Sequence, residues 1–312
     1  MSKTKYAFFQ GQIVPIEQAK VSIMTHAFNY GTGAFAGIRG YWNPEKEQLY
    51  VFRILDHYRR FLNSGKFLLA QVDYTPEQLA EITVELLAKE GWREDCYVRP
   101  LLYKADEVIG VRLHNLRDEV AIFSLPFGKY IQDEEGAKVC TSSWRRVDDT
   151  AIPARGKLIG SYINSALIKS EAMLNGFDEA IVLNQDGHVA EGSAENLFMV
   201  RNGVLITTPV HSNILEGITR RTIMQLAREE LDIPVVVRTI DRSELYVADE
   251  AFFCGTGVQI VAIASVDHRP VGTGRMGPIT QRIRDLYFRI VRGQEPKFMD
   301  WLTPIPKLAA VS

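Results

Sequence analysis

The chain has 312 residues, of which 46% are hydrophobic and 24% charged, and its formal net charge is −2 at pH 7. This length is about twice that of a common single domain, so two domains around two cores are expected. No apolar run approaches the roughly 18 residues that a membrane helix needs, so no membrane is expected as a partner. No long block of lysine and arginine offers a surface for nucleic acid, so nucleic acid is not expected as a partner either.

The first half of the chain predicts a small domain of strands and helices. Residues 6–14 read as two short strands around a glycine turn, and residues 49–53 as a strand followed by a helix with Asp56 as its N-cap. The sequence TPEQ at 75–78 is a capping pattern with proline at the first helical position. It predicts a second helix that ends near Gly91.

The glycine-rich segment GTGAFA at 31–36 fits the loose pattern of a dinucleotide-binding turn. No clean β-run precedes it, and no βαβ unit with an acidic residue follows it. A packing or pocket-lining role is therefore favoured over nucleotide binding.

Strands predicted at 96–104 and 119–126 complete the first domain. The polar, glycine-bearing stretch that follows is typical of a linker. The expected organisation is a small N-terminal α/β domain over 1–128, a linker over 129–137 and a large C-terminal domain over 138–312.

The second half is richer in strands. The dipeptides DG at 186–187 and NG at 202–203 lie between apolar runs, which predicts two hairpins. Apolar residues at helical spacing predict one helix over 216–231 and a last helix over about 278–291. The fold class expected from these elements is α/β in two domains.

The cysteines and the start of the chain favour the cytoplasm. Cys96, Cys140 and Cys254 lie far apart without a Cys-x-x-Cys motif, so neither a disulfide framework nor a zinc site is expected. Residues 1–20 lack the basic, then apolar, then small-residue order of a signal peptide.

Lys157, in a glycine-rich turn ahead of a predicted helix, is the candidate reacting residue. A lysine amine becomes a nucleophile when its surroundings lower its pKa, and a tight, partly desolvated turn is one way to do so. Gly156 and Gly160 would let the backbone pass close to a bound object, and Ser161 or Asn164 could cap the helix. The alternative is an ordinary solvated surface lysine.

An activated lysine with several anion sites suggests pyridoxal phosphate, whose aldehyde reacts with lysine. The phosphate needs backbone N–H groups at a helix start, which Gly217-Ile218-Thr219 offers, and the GTG at 255–257 offers a second loop. Arg60 supplies a positive charge, and Glu191 a carboxylate for the ring nitrogen. Taken singly, each of these residues also fits an ordinary surface or capping role.

Seven segments, in order and with family spacing, closely resemble the branched-chain amino acid aminotransferases of the fold-type IV pyridoxal-phosphate enzymes. The segments are MTHAFNYGTGAFAGIRGY, FRILDHYRRF, YVRPL, IPARGK, AEGSAENLF, LEGITR and FCGTGVQI. The match to which they belong covers nearly the whole chain. The resemblance implies the D-amino acid aminotransferase-like fold, with the cofactor at the domain interface.

By this resemblance Lys157 is the catalytic residue and carries pyridoxal 5′-phosphate as an aldimine. The positions that match cofactor-binding residues are Arg60, Lys157, Tyr162, Glu191, Ile218, Thr219 and Thr256. The positions that match substrate-binding residues are Tyr30, Phe35, Gly37, Tyr97, Arg99, Val111, Tyr130, Thr256 and Gly257. Of these, Tyr30 and Val111 are expected to reach in from a neighbouring subunit.

The activity implied is reversible amino transfer from L-leucine, L-isoleucine or L-valine to 2-oxoglutarate, as in branched-chain amino acid biosynthesis. In the family, the Tyr97-x-Arg99 pair helps one pocket take both an apolar side chain and the distal carboxylate of 2-oxoglutarate or glutamate. A homodimer is the minimum assembly implied, and a trimer of dimers is a larger option. No metal is expected.

Other activities on the same fold stay open at this stage: a D-amino acid or (R)-amine transaminase, an aminodeoxychorismate lyase, or a silent binding protein. The two transaminases and the lyase would all keep Lys157 and Glu191. The Tyr97-x-Arg99 pair favours the branched-chain activity over them, because a buried arginine needs an anionic partner. Three departures bear on substrate range: Ser161 stands where many relatives have asparagine, Phe127 where some have tryptophan, and Gly257 where many have alanine.

Overall fold

The computed structural model describes residues 4–131, 133–134 and 136–307. Over these residues it has mixed α/β content with two sheets, which confirms the predicted fold class. None of the helices described is both long enough and apolar enough to cross a membrane.

The chain divides into two compact units. The first contains the described residues through Gly128, the short segment Gly156–Gly160, and those from Arg289 onward. The second contains Lys129–Arg155 and Ser161–Phe288. The predicted boundaries place Lys157 in the C-terminal domain, whereas by its contacts its segment packs within the first unit.

Short strands make up much of both units, with helices between groups of strands. In chain order, the strands are β1 (Tyr6–Phe9), β2 (Gln12–Pro15), β3 (Gly33–Phe35), β4 (Ile38–Asn43), β5 (Gln48–Phe52), β6 (Cys96–Lys104), β7 (Asp118–Pro126), β8 (Ala137–Arg145), β9 (Glu179–Leu183), β10 (Val189–Gly192), β11 (Asn196–Arg201), β12 (Val204–Thr207), β13 (Val235–Val237), β14 (Glu250–Gly255), β15 (Gln259–Val266), β16 (Arg269–Pro270) and β17 (Leu302–Pro304). The helices are α1 (His26–Tyr30), α2 (Ile54–Phe67), α3 (Pro76–Glu90), α4 (Tyr162–Leu174), α5 (Ile218–Glu229) and α6 (Pro278–Val291).

The first unit is built on an antiparallel sheet in the order β17-β5-β4-β6-β7-β1-β2, with β3 also paired to β6. The second unit has a mixed sheet in the order β10-β9-β8-β15-β14-β11-β12-β13, with β16 on β15. Its parallel pairs are β8 with β9, β8 with β15, and β12 with β13.

Strand β6 shows how the first sheet positions side chains. It pairs with β7 over its full length, from Cys96 opposite Pro126 to Lys104 opposite Asp118. Cys96, Val98 and Pro100 are buried, while the alternate residues between them are only half-buried. Because side chains alternate along a strand, Tyr97 and Arg99 lie on the same face of the sheet.

Most predicted local signals are confirmed. The capping box at 75–78 starts α3. The helix ends at Glu90, and Gly91, which follows it, has a left-handed backbone conformation. The two dipeptide turns join β9 to β10 and β11 to β12, with positive φ at Gly187 and Gly203. The helix over 216–231 and the last helix appear as α5 and α6.

Two predicted caps are wrong. Helix α2 already begins at Ile54, so Asp56 lies in its first turn, where its carboxylate pairs with Arg53 at 3.1 Å. Ser161 precedes α4 but makes no side-chain capping bond, because it ends a 3-10 turn with helical backbone angles. Asn164 lies inside α4 and donates to the Arg145 carbonyl instead.

Asp267 joins three parts of the second unit through its side chain. Its carboxylate accepts from the Thr141 backbone N–H and hydroxyl at 2.6 and 2.8 Å, from Arg242 at 2.8 Å and from the Tyr246 hydroxyl at 2.7 Å. Burial alone would raise the pKa of Asp267, but these hydrogen bonds outweigh it and lower the pKa from 3.8 to about 2.

We expect Asp267→Asn to lower the free energy of unfolding at pH 7 by about 1–2 kcal/mol, since charged hydrogen bonds are lost at a partly exposed site. A carboxylate with a lowered folded-state pKa stabilises the fold above its unfolded pKa, and this stabilisation disappears as the pH falls through the folded value. Urea unfolding at several pH values should therefore show the two proteins converging between pH 3.8 and about 2. A difference that stays constant over that window would contradict this account.

Candidate active site

Lys157 is held by hydrogen bonds at both of its peptide groups. Its N–H donates to the Ser64 hydroxyl of α2 at 3.1 Å, and its C=O accepts from the N–H of Phe35, at the end of β3, at 3.0 Å. The Lys157 Nζ lies 5.0 Å from the centre of the Phe35 ring. The lysine backbone is thus fixed, while its amine lies over an aromatic face.

The glycines around Lys157 allow close packing of the protein against itself. Gly31, which has a φ of +66°, follows α1, and its C=O accepts from the N–H of Gly160 at 3.1 Å. A Cβ on Gly31 would lie 3.0 Å from the Gly160 Cα, and a Cβ on Gly156 would lie 2.9 Å from the Phe67 ring. The structure thus gives Gly156 and Gly160 a packing role that the sequence did not anticipate, and it gives Gly31 the packing role expected for segment 31–36.

Arg99 lies between two aromatic rings on the face of β6. Its guanidinium carbon is 4.4 Å from the Phe35 ring centre and 5.2 Å from that of Tyr97, and Nη2 donates to the Tyr97 hydroxyl at 3.2 Å. Its buried Nε has no hydrogen-bond partner among the residues that the structure describes. A half-buried guanidinium with an unused donor suits a carboxylate acceptor.

Gly37 and Phe127 complete the surroundings of Tyr97. A Cβ on Gly37 would overlap the Tyr97 hydroxyl, so only glycine leaves room for that ring. The Phe127 ring lies 5.1 Å from the Tyr97 ring. Four of the predicted substrate residues, Phe35, Gly37, Tyr97 and Arg99, are therefore brought together with Lys157 in the first unit.

Arg60 is half-buried on α2, and its carbonyl accepts from the Ser64 hydroxyl at 3.0 Å. Ser64 therefore connects the turn that carries Arg60 to the backbone of Lys157. This brings the predicted phosphate-binding arginine into the same hydrogen-bonded cluster as the lysine.

Tyr30 and the backbone of Gly110, which precedes Val111, are held by a separate set of contacts. The Tyr30 hydroxyl accepts from the Gly110 N–H at 3.1 Å. The buried His26 ring bonds to the Gly110 carbonyl at 2.6 Å and to the Thr32 hydroxyl at 2.7 Å. Val111 follows directly, with 80% of its surface exposed.

In the second unit, Glu191 on β10 is a buried carboxylate with three identified partners. Arg146 Nη2 lies 2.9 Å from it, and it accepts from Asn196 Nδ2 at 2.9 Å and from the Leu215 N–H at 3.2 Å. One cation balances its charge, and two neutral donors fix its orientation.

The start of α5 lies close to this carboxylate in the fold. Its N-cap is Gly217, which provides no side-chain capping bond for the first-turn N–H groups. The Asn196 side-chain oxygen occupies the space that a Cβ on Gly217 would need. Ile218 and buried Thr219 form the first turn, whose N–H groups and helix dipole favour an anion.

The remaining predicted residues of this unit lie between strands or at the start of a helix. Thr256 and Gly257 form the half-buried turn between β14 and β15, and Tyr162 is the first residue of α4. Tyr130 is 40% exposed, and its ring centre lies 5.4 Å from Lys169 Nζ.

Sequence reasoning missed three residues that support the site: Ser64, Arg146 and Asn196. Ser64 stands four residues after Arg60 in a predicted helix, so a back-bond to that carbonyl could have been anticipated. Arg146 carries no local signal because it lies far from Glu191 in the sequence. Asn196 lies only five residues after Glu191, but no sequence pattern marks its side chain as a donor to that carboxylate.

Comparison with known proteins places the chain in a family. Residues 34–266 match the family described as amino-transferase class IV. A probable branched-chain-amino-acid aminotransferase of Aquifex aeolicus is 47% identical over 300 residues, which cover 96% of each chain.

Solved structures agree with this match. The branched-chain aminotransferase of Thermoproteus uzoniensis, solved with norvaline, has a TM-score of 0.93 and 45% identity over 97% of this chain and all of its own. The T.th. branched-chain amino acid aminotransferase complexed with N-(5′-phosphopyridoxyl)-L-glutamate has a TM-score of 0.92 and 39% identity over 98% of this chain and all of its own. This chain belongs to the class IV aminotransferases.

Proposed function

We propose that the protein is a branched-chain amino acid transaminase that uses pyridoxal 5′-phosphate. It transfers the amino group of L-leucine, L-isoleucine or L-valine reversibly to 2-oxoglutarate. The two solved relatives support both substrate classes, because one was solved with the apolar amino acid norvaline and the other with a pyridoxyl derivative of L-glutamate.

The residues present fit the cofactor. The start of α5 has no side-chain cap, as suits a phosphate, and we assign the phosphate to Ile218 and Thr219 together with Arg60 and Thr256. The charge-balanced Glu191 carboxylate suits a protonated ring nitrogen. We assign the phenolic oxygen of the cofactor to Tyr162, and its covalent attachment to Lys157.

When bound, the cofactor supplies an electron sink for the charge that develops at the substrate Cα. The amine of Lys157, when free and neutral, would take the substrate Cα proton as general base and, as general acid, deliver it to the cofactor carbon that had borne the aldehyde. Glu191 keeps a negative charge at the ring nitrogen, and Arg146 keeps Glu191 in place. The hydrogen bonds to Ser64 and Phe35 hold the Lys157 backbone still during both proton transfers.

The observation that carries the choice of substrates is the position of Arg99 between Phe35 and Tyr97. The aromatic faces can cover a branched side chain, whose burial is worth about 2 kcal/mol. The same wall presents a guanidinium with an unused Nε donor, which can bind the distal carboxylate of 2-oxoglutarate. One pocket then serves both half-reactions; we add Gly37, Tyr130, Thr256 and Gly257 to its substrate contacts.

Arg99→Ala should separate the two half-reactions. We expect kcat/KM for 2-oxoglutarate to fall by about 10–100-fold, the equivalent of one charged hydrogen-bonded contact, and that for L-valine to change by less than about threefold. Single-turnover absorbance changes with each substrate measure both values. Arg59→Ala removes an exposed arginine of the same unit and is the control. Equal losses in both half-reactions would contradict the role of Arg99.

We also propose that a second copy of the chain covers an apolar surface of the first unit. Ile23, Phe28, Ile109 and Val111 are each at least 71% exposed, and the His26 ring ties the two segments that carry them. A homodimer would bury this surface and bring Tyr30 and Val111 to the partner's substrate pocket. Sedimentation at the mass of a single 35.2 kDa chain at micromolar concentration would contradict this.

We propose the cytoplasm as the compartment. All three cysteines are free thiols, and burial raises the pKa of Cys96 to about 12 and that of Cys140 to about 11. Unpaired thiols suit a reducing compartment.

We also propose that the chain folds as a small domain (1–128), a linker (129–137) and a large domain (138–312).

A further inference from the structure

We propose that Ser64 is a positioning residue for Lys157: its hydroxyl fixes the lysine backbone to the turn of α2 that carries Arg60. This deepens the proposed function and rests on Lys157 being the reacting residue. It assigns a role to a side chain that the proposed function places in contact with neither substrate nor cofactor.

The hydrogen-bonding capacity of a single hydroxyl explains the arrangement. Ser64 is 1% exposed, and its Oγ–H donates to the Arg60 carbonyl at 3.0 Å, four residues earlier in α2. A serine hydroxyl has one proton and two lone pairs, so the oxygen can still accept. It accepts the backbone N–H of Lys157 at 3.1 Å, which comes from 93 residues further along the chain.

A helical serine that bonds only to its i−4 carbonyl gives little stability, and often slightly destabilises its helix. The second bond of Ser64, to the Lys157 N–H, therefore gives the hydroxyl a role beyond the bond within its own helix. The bond links the arginine turn directly to the peptide group of the lysine. Through it, the distance between the Arg60 backbone and the Lys157 backbone is set by one buried oxygen.

The opposite side of Lys157 shows why this bond matters for the amine. Its carbonyl is held by the Phe35 N–H at 3.0 Å, so the two bonds together fix both peptide planes of the residue. Without the hydroxyl, the Lys157 N–H loses this acceptor, and the contact that opposes rotation of the backbone about the bond to Phe35 is removed. The amine lies at the end of a four-carbon chain, so a small backbone rotation displaces Nζ, and displacements of about 1 Å can cost as much as 100-fold in rate.

The test compares Ser64→Ala, which removes the hydroxyl, with Ser64→Thr, which keeps it. Threonine in a helix can still bond to the i−4 carbonyl, so the same oxygen remains available to Lys157. Ser124→Ala is the matched control. Ser124 is a buried serine of the same unit whose hydroxyl accepts from Trp92 Nε1 at 2.9 Å, in another part of the sheet.

Two readouts are needed. The first is hydrogen exchange of the Lys157 amide in the protein without added cofactor, which does not depend on catalysis. We expect exchange at least about tenfold faster in Ser64→Ala, and within about twofold of wild type in Ser64→Thr and Ser124→Ala. The second is steady-state kinetics of the enzyme with bound cofactor. We expect kcat of Ser64→Ala to fall by about tenfold, while its KM for L-isoleucine stays within about twofold of wild type. Ser64→Thr should recover most of the lost kcat.

The proposal is overturned if Ser64→Ala matches Ser124→Ala in both readouts, or if a folded Ser64→Thr variant is as impaired as Ser64→Ala. If the wild-type protein binds no cofactor, the proposed function fails, but the amide exchange of Lys157 still decides whether Ser64 holds its backbone. The two failures are thus distinguishable.

Discussion

Replacing Lys157 by alanine is expected to lower kcat by at least about 10⁴-fold and to remove the visible absorption band of the bound cofactor. General acid–base catalysis alone contributes about 10²–10⁴-fold, and the variant loses the covalent attachment as well. The backbone contacts to Ser64 and Phe35 use peptide atoms that alanine retains, so the fold should persist. Absorbance spectra and steady-state rates measure both effects.

Two further variants sharpen this test. Lys157→Arg keeps a positive charge, but its guanidinium does not give up a proton in proteins, so we expect it to be as inactive as the alanine variant. Lys66→Ala removes an exposed lysine of α2 and should leave turnover unchanged. Normal turnover by Lys157→Ala would refute the mechanism.

Glu191→Gln should lower kcat by about 10²–10³-fold with little change in KM for L-isoleucine. The substitution keeps the shape and an acceptor oxygen but removes the negative charge that we assign to the ring nitrogen. It also leaves Arg146 without its anion, 2.9 Å away in the wild type. Steady-state kinetics, with thermal unfolding as a check on stability, measure the effect.

Glu195 offers a matched control for the charge. It is buried four residues from Glu191, and burial, followed by the neighbouring Glu179 carboxylate, raises the pKa of Glu195 well above its ordinary value. Burial and the Glu179 carboxylate both oppose a negative charge on Glu195, so Glu195→Gln should change kcat by less than about threefold. If Glu191→Gln were no more harmful than Glu195→Gln, the negative charge of Glu191 would not be part of the mechanism.

Much of the fold could be predicted because its signals are local. The capping box before α3 and the two dipeptide turns contain their own hydrogen-bonding and backbone requirements. The caps assigned to Asp56 and Ser161 were wrong because neighbouring residues set the helix starts: Arg53 adopts a left-handed conformation before α2, and a 3-10 turn leads into α4. Such backbone choices depend on packing that a sequence pattern does not contain.

The candidate site divides in the same way. Lys157 and Glu191 stand in recognisable motifs, so their positions could be predicted from the chain alone. The partners that hold them could not, since Ser64 lies 93 residues before Lys157 and Arg146 reaches Glu191 from a distant part of the chain. The crowding of Tyr97 against Gly37 likewise appears only when β4, which follows Gly37 directly, pairs with β6.

The most direct test of the account is the visible absorption spectrum of the purified protein before and after addition of L-isoleucine, with no keto acid present. We predict a yellow band from cofactor attached to Lys157, which converts to the pyridoxamine form when the amino acid is added. A band that answers only to D-alanine or an (R)-amine would contradict the proposed donor class. The absence of any band, even after pyridoxal 5′-phosphate is supplied, would contradict the transaminase function itself.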